Sequence, residues 1–262
     1  MTFLHTIIMG IVEGVTEFLP ISSTAHLDIT RTLLHIADSD FIKSFEIVIQ
    51  LGAILAVVLL YWKKVFTSWT YFRNIAIAFI PTGIIGFLLY KLIKSYLLGN
   101  IMLSASMLII GGILIIFFEY REREAELHKV DNIFHKNVEQ LSVKDLLLIG
   151  TAQALAVVPG VSRSLAVILS GRARGLSRAA VVEFSFLLAI PTMLAATSYD
   201  LYKSGFAFTG GEWGTIALGF IVSFIVALAV VKWLLGYIKK HSFVIFGWYR
   251  IIAGVLILLF LL

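Results

Sequence analysis

The chain has 262 residues, is 60% hydrophobic and only 14% charged, and has a mean hydropathy of +0.97. Soluble globular chains are about 45–50% apolar and about 25% charged, so the composition excludes an ordinary soluble domain and points to an integral membrane protein. There is no cysteine, which excludes a disulfide framework and a thiolate metal centre. The net charge of +5 sits in short loops between apolar runs, as membrane topology requires, and gives no case for a nucleic-acid partner.

In chain order, the first stretch, MTFLHTIIMGIVEG, lacks a basic leader and a small-residue cleavage site. It is therefore expected to belong to the folded chain rather than to a signal peptide. The apolar region 2–34 is broken at Pro20. Its second limb, 22–34, would extend only about 20 Å as a helix, too little for a hydrocarbon core of about 30 Å. A re-entrant helical hairpin with Pro20 at its tip is expected. Three apolar spans follow at 45–62, 75–90 and 101–118. Residues 120–144 are polar and read as the one long loop. The region 145–171 is apolar again and broken at Pro159-Gly160, giving a second re-entrant hairpin, followed by spans at 179–196, 216–231 and 244–262.

The predicted fold is an all-α polytopic membrane protein with six transmembrane helices and two re-entrant hairpins. It forms a single membrane domain of two halves, about 1–119 and 145–262, joined by a cytoplasmic loop at 120–144. The halves resemble each other at an offset of 140 residues: Gly10 meets Gly150, Glu13 meets Gln153, Ser22 meets Ser162, Thr24 meets Ser164 and Thr30 meets Ser170. A hairpin plus three spans is an odd number of crossings, so the second half inserts upside down, as two inverted-topology repeats. Fourteen Lys and Arg, Lys129 among them, fall in loops on one side and four (Lys43, Lys91, Lys94, Lys203) on the other. The positive-inside rule makes the rich side cytoplasmic. Both termini and the first hairpin then face the exterior.

Glu13 and Glu17 stand four apart on one helix face. Intramembrane acids mark functional sites, and two together call for a raised pKa or a cation between them; a water-exposed pair near a helix end is the plainer alternative. Pro20 stops the first limb, and Ser22 is placed as the N-cap of the second. Ser23 and Thr24 are not needed for capping. A helix start here aims free N–H groups at the tip, which suits an anion. His26 lies three residues after Ser23 and four after Ser22, so it can serve either hydroxyl as a base. The second tip, VVPGVSRSLA, repeats the device with Gly160, Ser162 and Ser164 around Arg163. An intramembrane arginine needs an anion, and its fork suits phosphate; pairing with Glu13 or Glu17 is the alternative. The two tips together read as a phosphate cradle, with the glutamates holding a divalent cation or orienting the histidine. Glu46 and Gln50 could line the cavity, while Asp28, Glu183 and Arg250 read as hydrogen-bonding groups between helices.

The motifs GIVEGVTEFLPISSTAHL, SFEIVIQLGAILAV, PGVSRS and EFSFLLAIPTM together resemble the BacA-type undecaprenyl-diphosphate phosphatases, the bacitracin-resistance proteins, in order and over nearly the whole chain. The resemblance implies hydrolysis of a polyprenyl diphosphate to the monophosphate carrier lipid at a periplasm-facing site in the inner (plasma) membrane. That activity serves peptidoglycan synthesis, and the family needs magnesium or calcium. By the same resemblance Glu17, Ser23, His26 and Arg163 are catalytic, and Glu13 and Glu17 hold the metal. Ser22, Thr24, Gly160, Ser162 and Ser164 are expected, from the reading of the two tips, to bind phosphate. Spacing leaves the nucleophile open between Ser22, Ser23 and water; the resemblance favours Ser23, with His26 as its base and Glu17 holding His26. Expected partners are the lipid substrate and the bilayer, and a homo-oligomer is allowed. The rival reading is a lipid flippase or secondary transporter, since inverted repeats with broken helices are a transporter design; the Ser–His–Glu cluster argues against it.

Overall fold

The computed structural model describes residues 1–97, 99–127, 136–204 and 208–261. Among these the regular structure is helical, apart from one isolated bridge between Lys136 and Leu176. The α-helices are α1 (Phe3–Thr16), α2 (Ser23–Leu33), α3 (Asp40–Thr67), α4 (Trp69–Leu92), α5 (Ile101–Leu127), α6 (Val143–Ala154), α7 (Arg163–Ala173), α8 (Arg178–Ser204), α9 (Gly210–Ile238) and α10 (Val244–Phe260). Their starts are written in the sequence: Ser39, Ser68, Ser142 and Thr209 each accept a hydrogen bond from a backbone N–H three residues on.

Five helices, α3, α4, α5, α8 and α9, are long and apolar enough to cross a membrane. The sixth expected span, α10, has 17 residues, about 25 Å of helix. The polar loop expected at 120–144 is shorter than the composition suggests. Helix α5 runs on to Leu127, through residues that favour helix despite their charge, and α6 already begins at Val143. Lys129 lies outside the described residues. The continuation of α5 has a use. Glu122 is buried against Arg172 of α7, and Glu119 accepts from Arg178 at 2.7 Å and from the Phe243 N–H at 3.0 Å. At the other end of the molecule Arg31 of α2 meets Asp38 at 2.6 Å, Asp28 at 3.4 Å and Glu46 at 4.0 Å. Partial burial pushes the Asp38 carboxyl up, but Lys43 and Arg31 outweigh it and hold the group below the usual carboxylate range.

The principal interfaces survive exchange of the two halves. Helix α1 packs on α9 as α6 packs on α4, α3 on α9 as α8 on α4, and α5 packs on its own counterpart α10. Small residues make these approaches close, as membrane helices require. A Cβ on Gly10 would crowd the Gly219 carbonyl, and one on its counterpart Gly150 would overlap the Ala78 carbonyl. The halves differ at the second limbs: α2 packs on α5, whereas α7 packs on α8.

Both chain breaks converge on Arg250 of α10, which is fully buried. Its Nη1 donates to the Pro20 carbonyl at 3.0 Å and its Nη2 to the Gly160 carbonyl at 2.7 Å, with further bonds to Val161, Met107 and Leu108 carbonyls. One guanidinium thus satisfies the acceptors that both breaks set free. Gly111 makes room for it, since any Cβ there would collide with the guanidinium. Buried carbonyls left unpaired cost on the order of 1–3 kcal/mol each. Arg250→Leu should therefore lower the midpoint of thermal unfolding in detergent by roughly 10 °C or more, and Gly111→Ala should act in the same direction.

Candidate functional site

Glu13 and Glu17 leave α1 on one face, as their spacing predicts; the Glu17 N–H donates to the Glu13 carbonyl at 3.0 Å. The chain then turns through Pro20, and Ser22 begins α2 from φ 71° and ψ 98°. This is a left-handed φ at a residue with a side chain, and such strain gathers at functional sites. Ser162 repeats it at φ 76° and ψ 117° before α7. The two cap hydroxyls also repeat a partner: Ser22 Oγ lies 3.1 Å from Thr24 Oγ1, and Ser162 Oγ 3.0 Å from Ser164 Oγ.

The turn folds the start of α2 over the end of α1. Ser23 Oγ donates to Glu17 Oε2 at 2.5 Å. Arg163 comes from the second tip and donates through Nη2 to Glu17 Oε1 at 3.2 Å. Its Nη1 donates to the Ser185 carbonyl of α8 at 2.7 Å, and its Nε is buried with no hydrogen-bond partner. Ser164 Oγ donates to the Leu19 carbonyl at 2.9 Å, so the tips are also stitched directly. One carboxylate thus receives a hydroxyl on one oxygen and a guanidinium on the other, in a buried setting where charge-assisted bonds are strong.

His26 stands elsewhere. The expected hold of Glu17 on His26 is absent: the Glu17 oxygens accept from Ser23 and Arg163, and both His26 ring nitrogens are bonded elsewhere. The imidazole instead bonds the Ser22 carbonyl through Nδ1 at 2.7 Å and the Tyr249 hydroxyl through Nε2 at 2.7 Å. Of the remaining expected residues, Gly160 has φ +88° and gives its carbonyl to Arg250. Asp28 and Glu183 bond across helices, to Ser104 and Lys64. Glu46 approaches Arg31, and Gln50 is buried. Tyr249 carried no sequence signal beyond being a polar group inside an apolar run, and Ser185 none beyond its place in the motif EFSFLLAIPTM; Arg250 bonds between helices as expected, and its bonds to both chain breaks are what the sequence did not show.

Glu13 is fully buried, and neither of its carboxylate oxygens has a hydrogen-bond partner. An orphaned buried carboxylate is costly and fits a cation ligand. Among the described residues no group of three His, Asp or Glu side chains is arranged to hold a metal ion by itself. The arrangement suits a hard cation that draws its other ligands from water and phosphate, as Mg²⁺ does. Glu13 would hold it, with Glu17 four residues on.

Residues 6–256 match the family model described as "Bacitracin resistance protein BacA". The chain belongs to the BacA family. It is 51% identical to the undecaprenyl-diphosphatase of Aquifex aeolicus, 49% to that of Sulfurihydrogenibium sp. and 46% to that of Wolinella succinogenes. The alignments cover at least 98% of each chain. Within this BacA chain the fit of Glu13 to a cation can be read without an activity assay. Mg²⁺ or Ca²⁺ should raise the unfolding temperature of the wild type by mass action, and Glu13→Gln should abolish that rise. A rise that survives the substitution excludes Glu13 as a ligand.

Proposed function

We propose that this protein hydrolyses undecaprenyl diphosphate to the monophosphate carrier lipid and phosphate, within the inner membrane and from its outer side. The Ser23–Glu17–Arg163 contact carries the reading: a hydroxyl and a guanidinium from two different chain breaks share one buried carboxylate, which is the hydroxyl's proton acceptor. The names borne by the relatives support the substrate. On this reading Ser23 Oγ attacks the terminal phosphorus, or holds the water that does, and its proton passes to Glu17 Oε2. The anhydride P–O bond breaks, and its electron pair leaves with the lipid monophosphate. If serine attacks, water then cleaves the phosphoserine, and His26 is the base for that second proton. Arg163 turns from Glu17 to the phosphoryl oxygens, where it acts with the N-termini of α2 and α7 and the hydroxyls of Ser22, Thr24, Ser162 and Ser164. Glu13 and Glu17 would hold a divalent cation, Mg²⁺ or Ca²⁺, which would supply charge neutralisation for the diphosphate.

The membrane arrangement belongs to the same proposal. Helix α10 joins the five long helices as a sixth crossing, and α1–α2 and α6–α7 are re-entrant hairpins entering from opposite sides. The pairing of interfaces under exchange of halves supports an inverted repeat of about 1–119 and 145–262. Lys and Arg counts support an orientation with both termini and the site outside. Recycling of the carrier would serve peptidoglycan synthesis and lower sensitivity to bacitracin.

Phosphate release from a polyprenyl diphosphate by purified protein in detergent tests the function. Ser23→Ala and Glu17→Gln should each lower kcat by about 10²–10⁴, and Arg163→Gln by about 10²–10³. Lipid translocation in liposomes without phosphate release would replace the reading with a carrier.

A further inference from the structure

His26 is held at both ring nitrogens. Its Nδ1 lies 2.7 Å from the Ser22 carbonyl oxygen. A carbonyl only accepts, so Nδ1 carries the proton. In the neutral ring Nε2 then offers a lone pair, and the Tyr249 hydroxyl at 2.7 Å donates into it. The two rings lie nearly parallel, 9° apart with centroids 5.6 Å apart. One tautomer and one ring orientation are thereby specified.

We propose that Tyr249 is a positioning residue for His26, fixing Nε2 as its basic nitrogen and occupying that nitrogen until the hydrolytic water takes the hydroxyl's place. The proposal rests on the phosphatase reading above for its second clause, and on geometry alone for its first. Tyr249 is well placed for this because its neighbour cannot move. Arg250 is tied to carbonyls of both tips and of α5. Successive helical side chains point about 100° apart, so α10 sends Arg250 into the core while Tyr249, 45% exposed, lies over His26. An aromatic anchor at the membrane surface would need neither a hydroxyl on an imidazole nitrogen nor parallel rings. When His26 gains a proton, Nε2 becomes the donor and the phenol oxygen the acceptor. The same contact then holds the imidazolium with only a rotation of the hydroxyl hydrogen.

The test is Tyr249→Phe, which keeps the ring and removes the hydroxyl. It is read by ¹⁵N-histidine resonances in detergent, assigned through His26→Ala, and by kcat and KM for phosphate release. Wild-type neutral His26 should show the Nδ1–H tautomer with a hydrogen-bonded Nε2. In Tyr249→Phe the Nε2 resonance should move to that of an unbonded nitrogen, and kcat should fall on the order of 10- to 100-fold with KM little changed. In the His26→Ala background Tyr249→Phe should cost nothing further. An Nε2–H tautomer in the wild type overturns the proposal, and it does so even if Tyr249→Phe fails to fold. Unchanged resonance and kcat in the variant, or an undiminished loss in the His26→Ala background, also overturns it. A wild type that releases no phosphate defeats the function reading instead, and the nitrogen resonances alone then decide this one.

Discussion

Two chain breaks in the middle of an apolar protein leave carbonyl oxygens that no water reaches, and the structure depends on how these are satisfied. Arg250 is the answer for both. A guanidinium carries five N–H donors in a rigid fork, and here the donors divide between Pro20 on one tip, Gly160 and Val161 on the other, and two carbonyls of α5. A lysine has three donors at a single point and could not span these acceptors. The clamp joins the two tips, together with the direct contacts of Glu17 with Arg163 and of Ser164 with Leu19.

The site is therefore a joint product of the halves. They share a backbone device, a serine cap at positive φ with a second hydroxyl two residues on. They differ in chemistry. The first half contributes carboxylates and the histidine, the second the arginine. At the position matching Glu13 the second half has Gln153, whose amide donates to Thr82 at 2.9 Å and Thr192 at 3.1 Å. That amide ties helices together, where Glu13 stands with two unpartnered oxygens. The first tip thus carries the acids and the second the arginine, and α2 and α7 also pack on different neighbours.

Much of this was legible because it is local. Hydropathy marked the long helices, proline and glycine marked the breaks, and serine and threonine marked the caps. The matched glycines Gly10 and Gly150 were visible at an offset of 140 and are both points of close helix approach. The misreadings are also local in origin. Apolar length could not show that α5 continues through charged residues, since Glu122 finds its partner fifty positions away in Arg172. The expected hold of Glu17 on His26 came from the residue types and the family motif, not from spacing. The turn at Pro20 breaks the helical periodicity and brings Ser23, six residues on, to Glu17 instead.

By itself the sequence determined a helical membrane protein with two apolar regions broken by proline and glycine, and the residue types that a phosphate site would need, because those follow from periodicity, backbone chemistry and side-chain inventory within a few residues. Which groups meet was decided only by the tertiary structure. The Arg163–Glu17 pair spans 146 positions and the His26–Tyr249 pair 223. Such pairs are chosen by how rigid helices pack around a buried guanidinium, and no spacing along the chain encodes that.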